Sequence, residues 1–394
     1  MNCKLVDFLL RAFNYLIYRL ALLRAHLTRV FNSMIYRGNL LWVNLTVLFD
    51  QAKLLQTNPN GTDYFSKDSF PLVSDSELGV WNRPNHHFIK QTVMGSDEKL
   101  VTKVWFDSRG IRVQENNPNI LDQVDILVTG ESNTWGQGVA YENTYAAFLG
   151  VKLGLSVANL GLIGSNGVQS LLLVRRYAHL QPKLIVYSFW EEHFSSNIRR
   201  CPNIDSPVCL VRPIIKGFAS NCLRISFPRG VERALRDYLN WYRDTALGKD
   251  MPLLNSWYWR LRIAVRGLAE RYFDTLTRGS SNWKVAKNNP SWNNLLNASL
   301  YILSEVKVSA DSIGAKTIIV YMPIFFMDIM YPPPIELREH VENLGAIFVD
   351  MEPIWRNHKN NGKKFYFEKD MHLNHIGHSD VANAIALALN NEIF

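Results

Sequence analysis

Residues 125–149, DILVTGESNTWGQGVAYENTYAAFL, run from a short, mostly β-branched stretch through a glycine-rich turn into a helix-forming stretch. Asp125 to Thr129 predicts a buried strand. It ends in Gly130-Glu131-Ser132, so Ser132 is expected at the carboxyl end of that strand. In open α/β sheets ligands and chemistry collect at this end, because helix N-termini and loop amides converge there. Gly130, Gly136 and Gly138 let the backbone approach closely around the serine. Thr144 to Leu149 begins the helix that follows.

The same cadence returns along the chain. Leu155 to Ala158 predicts a second strand, 159–167 (NLGLIGSNG) a glycine-rich turn, and Val168 to Leu180 a helix. No lysine follows that turn and its glycine spacing is not a dinucleotide fingerprint, so neither phosphate motif is present. Leu184 to Tyr187 predicts a third strand, running into 188–194 (SFWEEHF). After an interruption, helix Leu300 to Ser312, strand Thr317 to Tyr321, helix Glu336 to Leu344 and strand Ala346 to Val349 restore the rhythm of a parallel sheet. The chain closes on Asp370-Met371-His372-Leu373-Asn374-His375-Ile376-Gly377-His378 and an apolar helix, Ser379 to Leu389. Asn374 is a good N-cap, which leaves Asp370 and His372 in the loop before that helix. A neutral imidazole there can take a serine proton if a carboxylate fixes its tautomer, and Asp370 is near enough in sequence to do so. His372, His375 and His378 also invite a metal reading. No cysteine lies near them and the first is expected outside the helix, so no metal and no organic cofactor is expected.

These ordered blocks resemble the SGNH (GDSL-like) hydrolase family, bacterial SGNH-type esterase domains included. Gly130-Glu131-Ser132-Asn133-Thr134-Trp135-Gly136-Gln137-Gly138, with Thr144-Tyr145 after it, is similar to the family's first block. Glu131 stands where aspartate is usual, which keeps the charge and lengthens the arm. The closing block is similar to the family's D-x-H-x-N-x-x-G-H. A lead-in, 77–85 (ELGVWNRPN) and then 104–112 (VWFDSRGIR), resembles the small β-rich segment ahead of many such domains, and a structural role is expected for it. The resemblance implies a three-layer α/β/α fold with a parallel sheet, Ser132 as nucleophile, His372 as general base and acid, and Asp370 as its orienter. It implies an oxyanion donor at Gly164, with Gly161 as the rival. In the third block the family's asparagine is missing, and Glu191 or Glu192 falls there, where an ionised carboxylate would repel an oxyanion. His193 is the nearest residue that could donate instead, with Asn197 a helical turn further on.

The function implied is hydrolysis of an acyl ester, an acetyl ester on a small molecule or carbohydrate being the expected substrate. Two other readings stay open: O-acyl transfer to a surface polysaccharide with the same residues, and a non-catalytic carbohydrate-binding protein that has lost the third block.

With 394 residues, 47% hydrophobic and 20% charged, the chain has length for a large core and the composition of a globular protein. Its net charge of +8 is uneven. Lys4, Arg11, Arg19, Arg24, Arg29 and Arg37 crowd residues 1–37 against Asp7 alone, and 216–290 is again arginine-rich. In 3–37 a basic residue recurs too often for a spanning helix, and the segment lacks a signal peptide's apolar core and cleavage site. It is expected to form a long basic amphipathic helix. Such a helix fits an anionic membrane interface, and it equally fits packing on its own domain or on a second subunit; nucleic acid is not expected. Localisation is open, with a peripheral membrane or cell-envelope site compatible. The expected organisation is a basic helical region over 1–56, a β-rich lead-in over 70–120, and an SGNH-type domain over 121–394. That domain carries a helical insertion at about 200–290 whose arginines and tryptophans suit either a cap or a sugar-binding wall. Cys201 and Cys209 flank a short loop and could close a disulfide in an exported protein, or stay as free thiols in a reducing compartment.

Overall fold

The computed structural model describes residues 71–93, 99–115, 122–198, 211–217, 223–227, 231–232, 292–324, 330–367 and 370–391. The basic region over 1–56, the Cys201–Cys209 loop and most of the 200–290 insertion lie outside the described residues. Every described residue belongs to one unit spanning 64–394.

An eight-stranded sheet organises this unit. Its strands are β3 (His87–Val93), β4 (Lys99–Phe106), β5 (Arg112–Val113), β6 (Ile126–Thr129), β7 (Val157–Asn159), β8 (Leu184–Trp190), β11 (Lys316–Met322) and β12 (Ile347–Asp350). The order across the sheet is β12-β11-β8-β6-β7-β5-β4-β3. The five strands from β12 to β7 are parallel and the last three run antiparallel. From β6 the chain goes to β7 on one side and then to β8 on the other. β6 is therefore a topological switch point, where loops diverge and leave a crevice at the carboxyl ends of the strands. Outside the sheet lie two antiparallel pairs, β1 (Leu72–Asp75) with β2 (Gly79–Asn82) and β9 (Ile214–Lys216) with β10 (Arg224–Ser226).

Helices cover both faces, giving three α/β/α layers. Strand alternation divides the apolar residues: Ile185, Tyr187 and Phe189 of β8 face one layer, while Leu184, Val186 and Trp190 face the other. On the first side pack α3 (Gly167–Tyr177), α5 (Trp292–Asp311) and α6 (Ile335–Asn343), through Leu171, Ile302 and Leu337. On the second side pack α2 (Tyr145–Leu153), α7 (Glu352–Asn360) and α8 (His375–Asn391), through Leu149, Trp355 and Ile385. Thr144 caps α2 by accepting the Ala147 N–H at 3.2 Å. Asn166 and Gln169 form a capping box on α3. No helix among the described residues is long and apolar enough to cross a membrane.

Two expectations change. The lead-in is not a unit of its own: β3, β4 and β5 extend the main sheet, because Arg112 pairs with Asn159 of β7. Asp370 and His372 sit in a short strand, β14 (Asp370–Leu373), paired with β13 (Tyr366–Phe367), where a loop was expected. Asn374 does cap α8, its side-chain oxygen accepting the Ile376 N–H at 2.9 Å and the Gly377 N–H at 3.2 Å.

Candidate active site

β6 ends at Thr129, and after Gly130 the chain turns at once into α1 (Ser132–Trp135), a single turn with Glu131 as N-cap. Only glycine fits at 130, since a Cβ there would lie 2.2 Å from Thr134 Oγ1. Ser132, 6% exposed, is held at the switch point. From the far end of the sequence β14 brings in the half-buried His372, whose Nε2 lies 2.7 Å from Ser132 Oγ. Ser132 Oγ is also hydrogen-bonded to Glu131 Oε2. The other oxygen of Glu131 accepts the Asn133 N–H at 3.1 Å and Asn133 Nδ2 at 2.9 Å. Asn133 Oδ1 in turn accepts the Leu373 N–H at 3.0 Å. The backbone of Asp370 is placed in the histidine strand; its side chain lies outside what is described.

The loop after β7 is fastened to the serine turn. Leu162 N–H donates to Gly130 O at 3.1 Å and Ser165 Oγ donates to the same oxygen at 3.2 Å. Gly161 meets α1 so closely that a Cβ would stand 2.1 Å from Trp135 N. Ser165 N–H closes a turn onto Leu162 O at 3.1 Å, with Gly164 inside it at φ +69°. Among the described residues no hydrogen bond engages the N–H of Ser132 or of Gly164, and both belong to segments that meet at the serine.

The third block is arranged differently from expectation. His193 opens α4 (His193–Ser196), and its Nδ1 faces the Tyr187 hydroxyl at 3.0 Å. Its ring stacks on Tyr187 and meets Phe189 edge-on, on the α3 and α5 side of β8. Burial, and secondarily Arg212, pulls its pKa down to about 3, so the ring is neutral. His193 is thus a core residue, with no described contact to Ser132. Glu191 is buried and spent elsewhere, accepting the Ile324 N–H at 3.0 Å. Glu192 lies within electrostatic reach of Glu131 and of Arg212. Asn197 accepts the Gly167 N–H at 2.8 Å and donates to Ser299 Oγ at 3.3 Å, which fixes the start of α3.

Three side chains here have roles that the sequence does not reveal. The sequence shows Glu131 and Asn133 as motif positions and carries no sign of their contacts. Arg112 falls in the lead-in, where a structural role is expected. Its buried guanidinium donates to the carbonyls of Trp135, Gly136 (2.8 Å) and Val139 (2.7 Å) and lies 4.6 Å over the Trp135 ring. It therefore clamps the segment that follows the serine. Burial pushes its pKa down to about 9, with Tyr141 and Glu142 opposing, so it remains a cation at neutral pH.

Beneath the serine, the Tyr145 hydroxyl bonds Thr134 Oγ1 at 2.9 Å and Ser188 Oγ. His378 Nδ1 accepts the Tyr145 N–H at 3.2 Å, and burial pulls its pKa down to about 3. The three histidines of the closing block thus divide: His372 contacts the serine, His375 is exposed, and His378 is a neutral core residue. Among the described residues no His, Cys, Asp or Glu group could hold a metal ion.

No family model and no curated protein matches the sequence. Solved structures similar to the chain include a crystal structure of TesA, at 11% identity and TM-score 0.34, covering 68% of this chain and 98% of the other. Another is a putative lipolytic protein of the G-D-S-L family from Desulfitobacterium hafniense DCB-2, at 11% identity and TM-score 0.32, covering 67% and 99%.

Proposed function

We propose that the chain is a serine ester hydrolase, and the observation that carries this is Ser132 Oγ lying 2.7 Å from His372 Nε2 at the switch point of a parallel sheet. That pairing is the nucleophile-and-base geometry acyl transfer needs. Ser132 Oγ bonds to the ester carbon while its proton passes to His372 Nε2 and the carbonyl electron pair moves onto oxygen. The amides of Ser132 and Gly164 hold that oxygen, a job worth about 3 kcal/mol per donor in comparable sites. His372 then gives the proton to the departing alcohol, and water repeats the sequence on the acyl-serine. Asp370, two residues before His372 in β14, is assigned the role of fixing the imidazole tautomer. His193 is left out of this scheme, because its ring is committed to Tyr187.

The favoured substrate is a short acyl ester, acetyl first, on a small molecule or carbohydrate; residues 3–37 are proposed to hold the chain at an anionic membrane surface. The test is hydrolysis of a chromogenic acetyl ester by wild type, Ser132→Ala and His372→Ala. Turnover that both substitutions reduce by about a thousandfold or more supports the reading. Equal rates in all three proteins, on short and long acyl chains alike, remove it. Flotation on vesicles with and without anionic lipid, with and without residues 1–50, tests the membrane part.

A further inference from the structure

On the side of α5 turned away from the sheet lies a cavity of about 350 Å³ that no step at Ser132 uses. Asn294, Asn297, Tyr301 and Ser304 of α5 line it, His340 of α6 faces them, and Leu300 and Leu223, the latter just before β10, complete the wall. Spacings of three and four put the first four residues on one stripe of the helix, while Leu295, Ser299 and Ile302 on the opposite side are buried. α5 leads down into β11, so its first turns stand level with the carboxyl ends of the strands. There Phe194 packs on Trp292 with ring centroids 5.2 Å apart, and Asn197 donates to Ser299 Oγ at 3.3 Å. The Asn294 and Asn297 rim is therefore at the same end of the sheet as Ser132, on the outer side of the helix layer.

The lining holds no Asp, Glu, Lys or Arg. Asn294 and Asn297 are exposed, and among the described residues no hydrogen bond engages either carboxamide. Each offers two donors and an acceptor oxygen. Ser304 Oγ donates to Leu300 O at 3.0 Å, and His340 Nε2 lies 2.9 Å from Ser304 Oγ and 3.1 Å from Leu300 O. With the serine proton on that carbonyl, Nε2 faces two acceptors and is the donor, which leaves Nδ1 as an acceptor whenever the ring is neutral. Leu300 and Tyr301 pack half-buried against the core and give the cavity an apolar, partly aromatic wall.

A ligand matched to this lining carries groups that both donate and accept, presents an apolar face, and has no charge. An ionised ligand would find no opposite charge in the lining, and an acyl chain would cover the carboxamides without hydrogen-bonding them. A neutral sugar ring meets all three demands. We propose that this cavity is a secondary binding site for a neutral sugar, which anchors a polysaccharide on the protein apart from Ser132. Its volume is at the lower end of small-molecule sites, roughly 300–1,000 Å³, so it takes a short piece of such a polymer. The inference rests on the carbohydrate part of the reading above and needs no turnover at Ser132.

The test is isothermal titration of the full chain carrying Ser132→Ala with cellohexaose, xylohexaose, mannohexaose and maltohexaose, and with a hexamer of galacturonate as the anionic counterpart. Expected is binding of at least one neutral hexaose and none of the anionic one. In Asn294→Ala with Asn297→Ala the Kd is expected to rise about tenfold or more, since each lost hydrogen bond is worth a factor of a few to about ten. Both positions are exposed, and thermal unfolding of the double variant checks that it folds. A second arm needs no variant for its effect: in a chain labelled with ¹⁵N on asparagine, the bound hexaose should move the side-chain amide signals of Asn294 and Asn297. No binding of any neutral hexaose, binding that the double variant keeps in full, unmoved signals at both asparagines, or preference for the anionic hexamer overturns the inference. Esterase activity is read separately on the wild type. Its absence removes the hydrolase reading and leaves the sugar site standing, whereas failed titrations beside an active esterase remove the sugar site alone.

Discussion

Asn133 and Leu373, 240 positions apart in sequence, are joined by a 3.0 Å hydrogen bond from the Leu373 N–H to the Asn133 side-chain oxygen. Each is the immediate neighbour of a reacting residue. Among the described residues β14 pairs only with β13 and stands outside the main sheet. The main sheet therefore does not set the distance from His372 to Ser132. Besides the serine–histidine contact itself, the Asn133 bond ties the two segments directly, and the same carboxamide steers Glu131 through its Nδ2.

Asn133→Ala is accordingly expected to act on rate more than on binding. A buried backbone N–H left unpaired costs about 1–3 kcal/mol, and a shift of about 1 Å in a reacting group costs about a hundredfold. We expect kcat to fall roughly 10- to 100-fold with KM nearly held, in steady-state kinetics on a chromogenic ester. Asn133→Asp should fare worse, because a second carboxylate would face Glu131 Oε1. A kcat unchanged in Asn133→Ala would show that β14 is placed by other contacts.

Arg112 supports the segment after the serine from the opposite side. Arg112→Ala strips three carbonyls of a charged donor and leaves them buried, a loss of about 3 kcal/mol or more. Thermal unfolding should shift down by several degrees, with esterase activity falling alongside. Lysine cannot reproduce the fork of donors, so Arg112→Lys should recover only part of the stability. Full recovery would mean that charge alone matters at this position.

These cases mark where the sequence was legible. The strand–turn–helix around Ser132, the parallel cadence and the cap at Asn374 are set by neighbours a few residues apart, and local pattern carried them. The union of β5 with β7 was not legible, because the single pairing of Arg112 with Asn159 bridges segments with no local signature. Distance along the chain from β8 puts His193 at the oxyanion. Its ring instead follows Tyr187 and Phe189 into the core, which only the alternation of β8 together with the α4 turn determines. Glu191 is read in sequence as a neighbour of the oxyanion, whereas in the fold it accepts the Ile324 N–H, a bond to a segment 133 residues further along the chain. The longer arm of Glu131 is legible in the sequence, yet the contact that length creates depends on Asn133 fixing one oxygen and freeing the other.

The two buried histidines make stability fall in acid. His193 and His378 are both held at about 3 by burial, against 6.5 for the free side chain. The unfolded chain therefore binds more protons than the folded one between those values, and unfolding free energy rises with pH there. Their contribution is complete above about pH 6.5 and is lost as pH falls from there toward about 3, at up to about 1.4 kcal/mol per pH unit for each group. In His378→Asn the side-chain oxygen takes the place of Nδ1 toward the Tyr145 N–H. The gap in denaturant-measured stability between about pH 7 and pH 5 should shrink relative to wild type. An unchanged gap would mean that His378 does not stay neutral in the fold.

Gly161 offers a test of the oxyanion loop that leaves every polar side chain in place. A Cβ there would sit 2.1 Å from Trp135 N and 2.4 Å from Trp135 Cα, both backbone atoms that cannot swing aside. Gly161→Ala must therefore push the loop carrying Gly164 away from α1, or move α1 itself. Either displacement separates the Gly164 N–H from the place where a substrate oxygen would develop charge, so kcat should fall by about a hundredfold or more. Gly154 is the control. It ends α2 at φ +64° with nothing within 4 Å of a Cβ, so Gly154→Ala meets backbone strain alone. That costs about 1 kcal/mol of stability, with no path to the serine. Loss of kcat at 161 with retention at 154 is the expected pair of outcomes; equal activity in both variants would remove the loop after β7 from the mechanism.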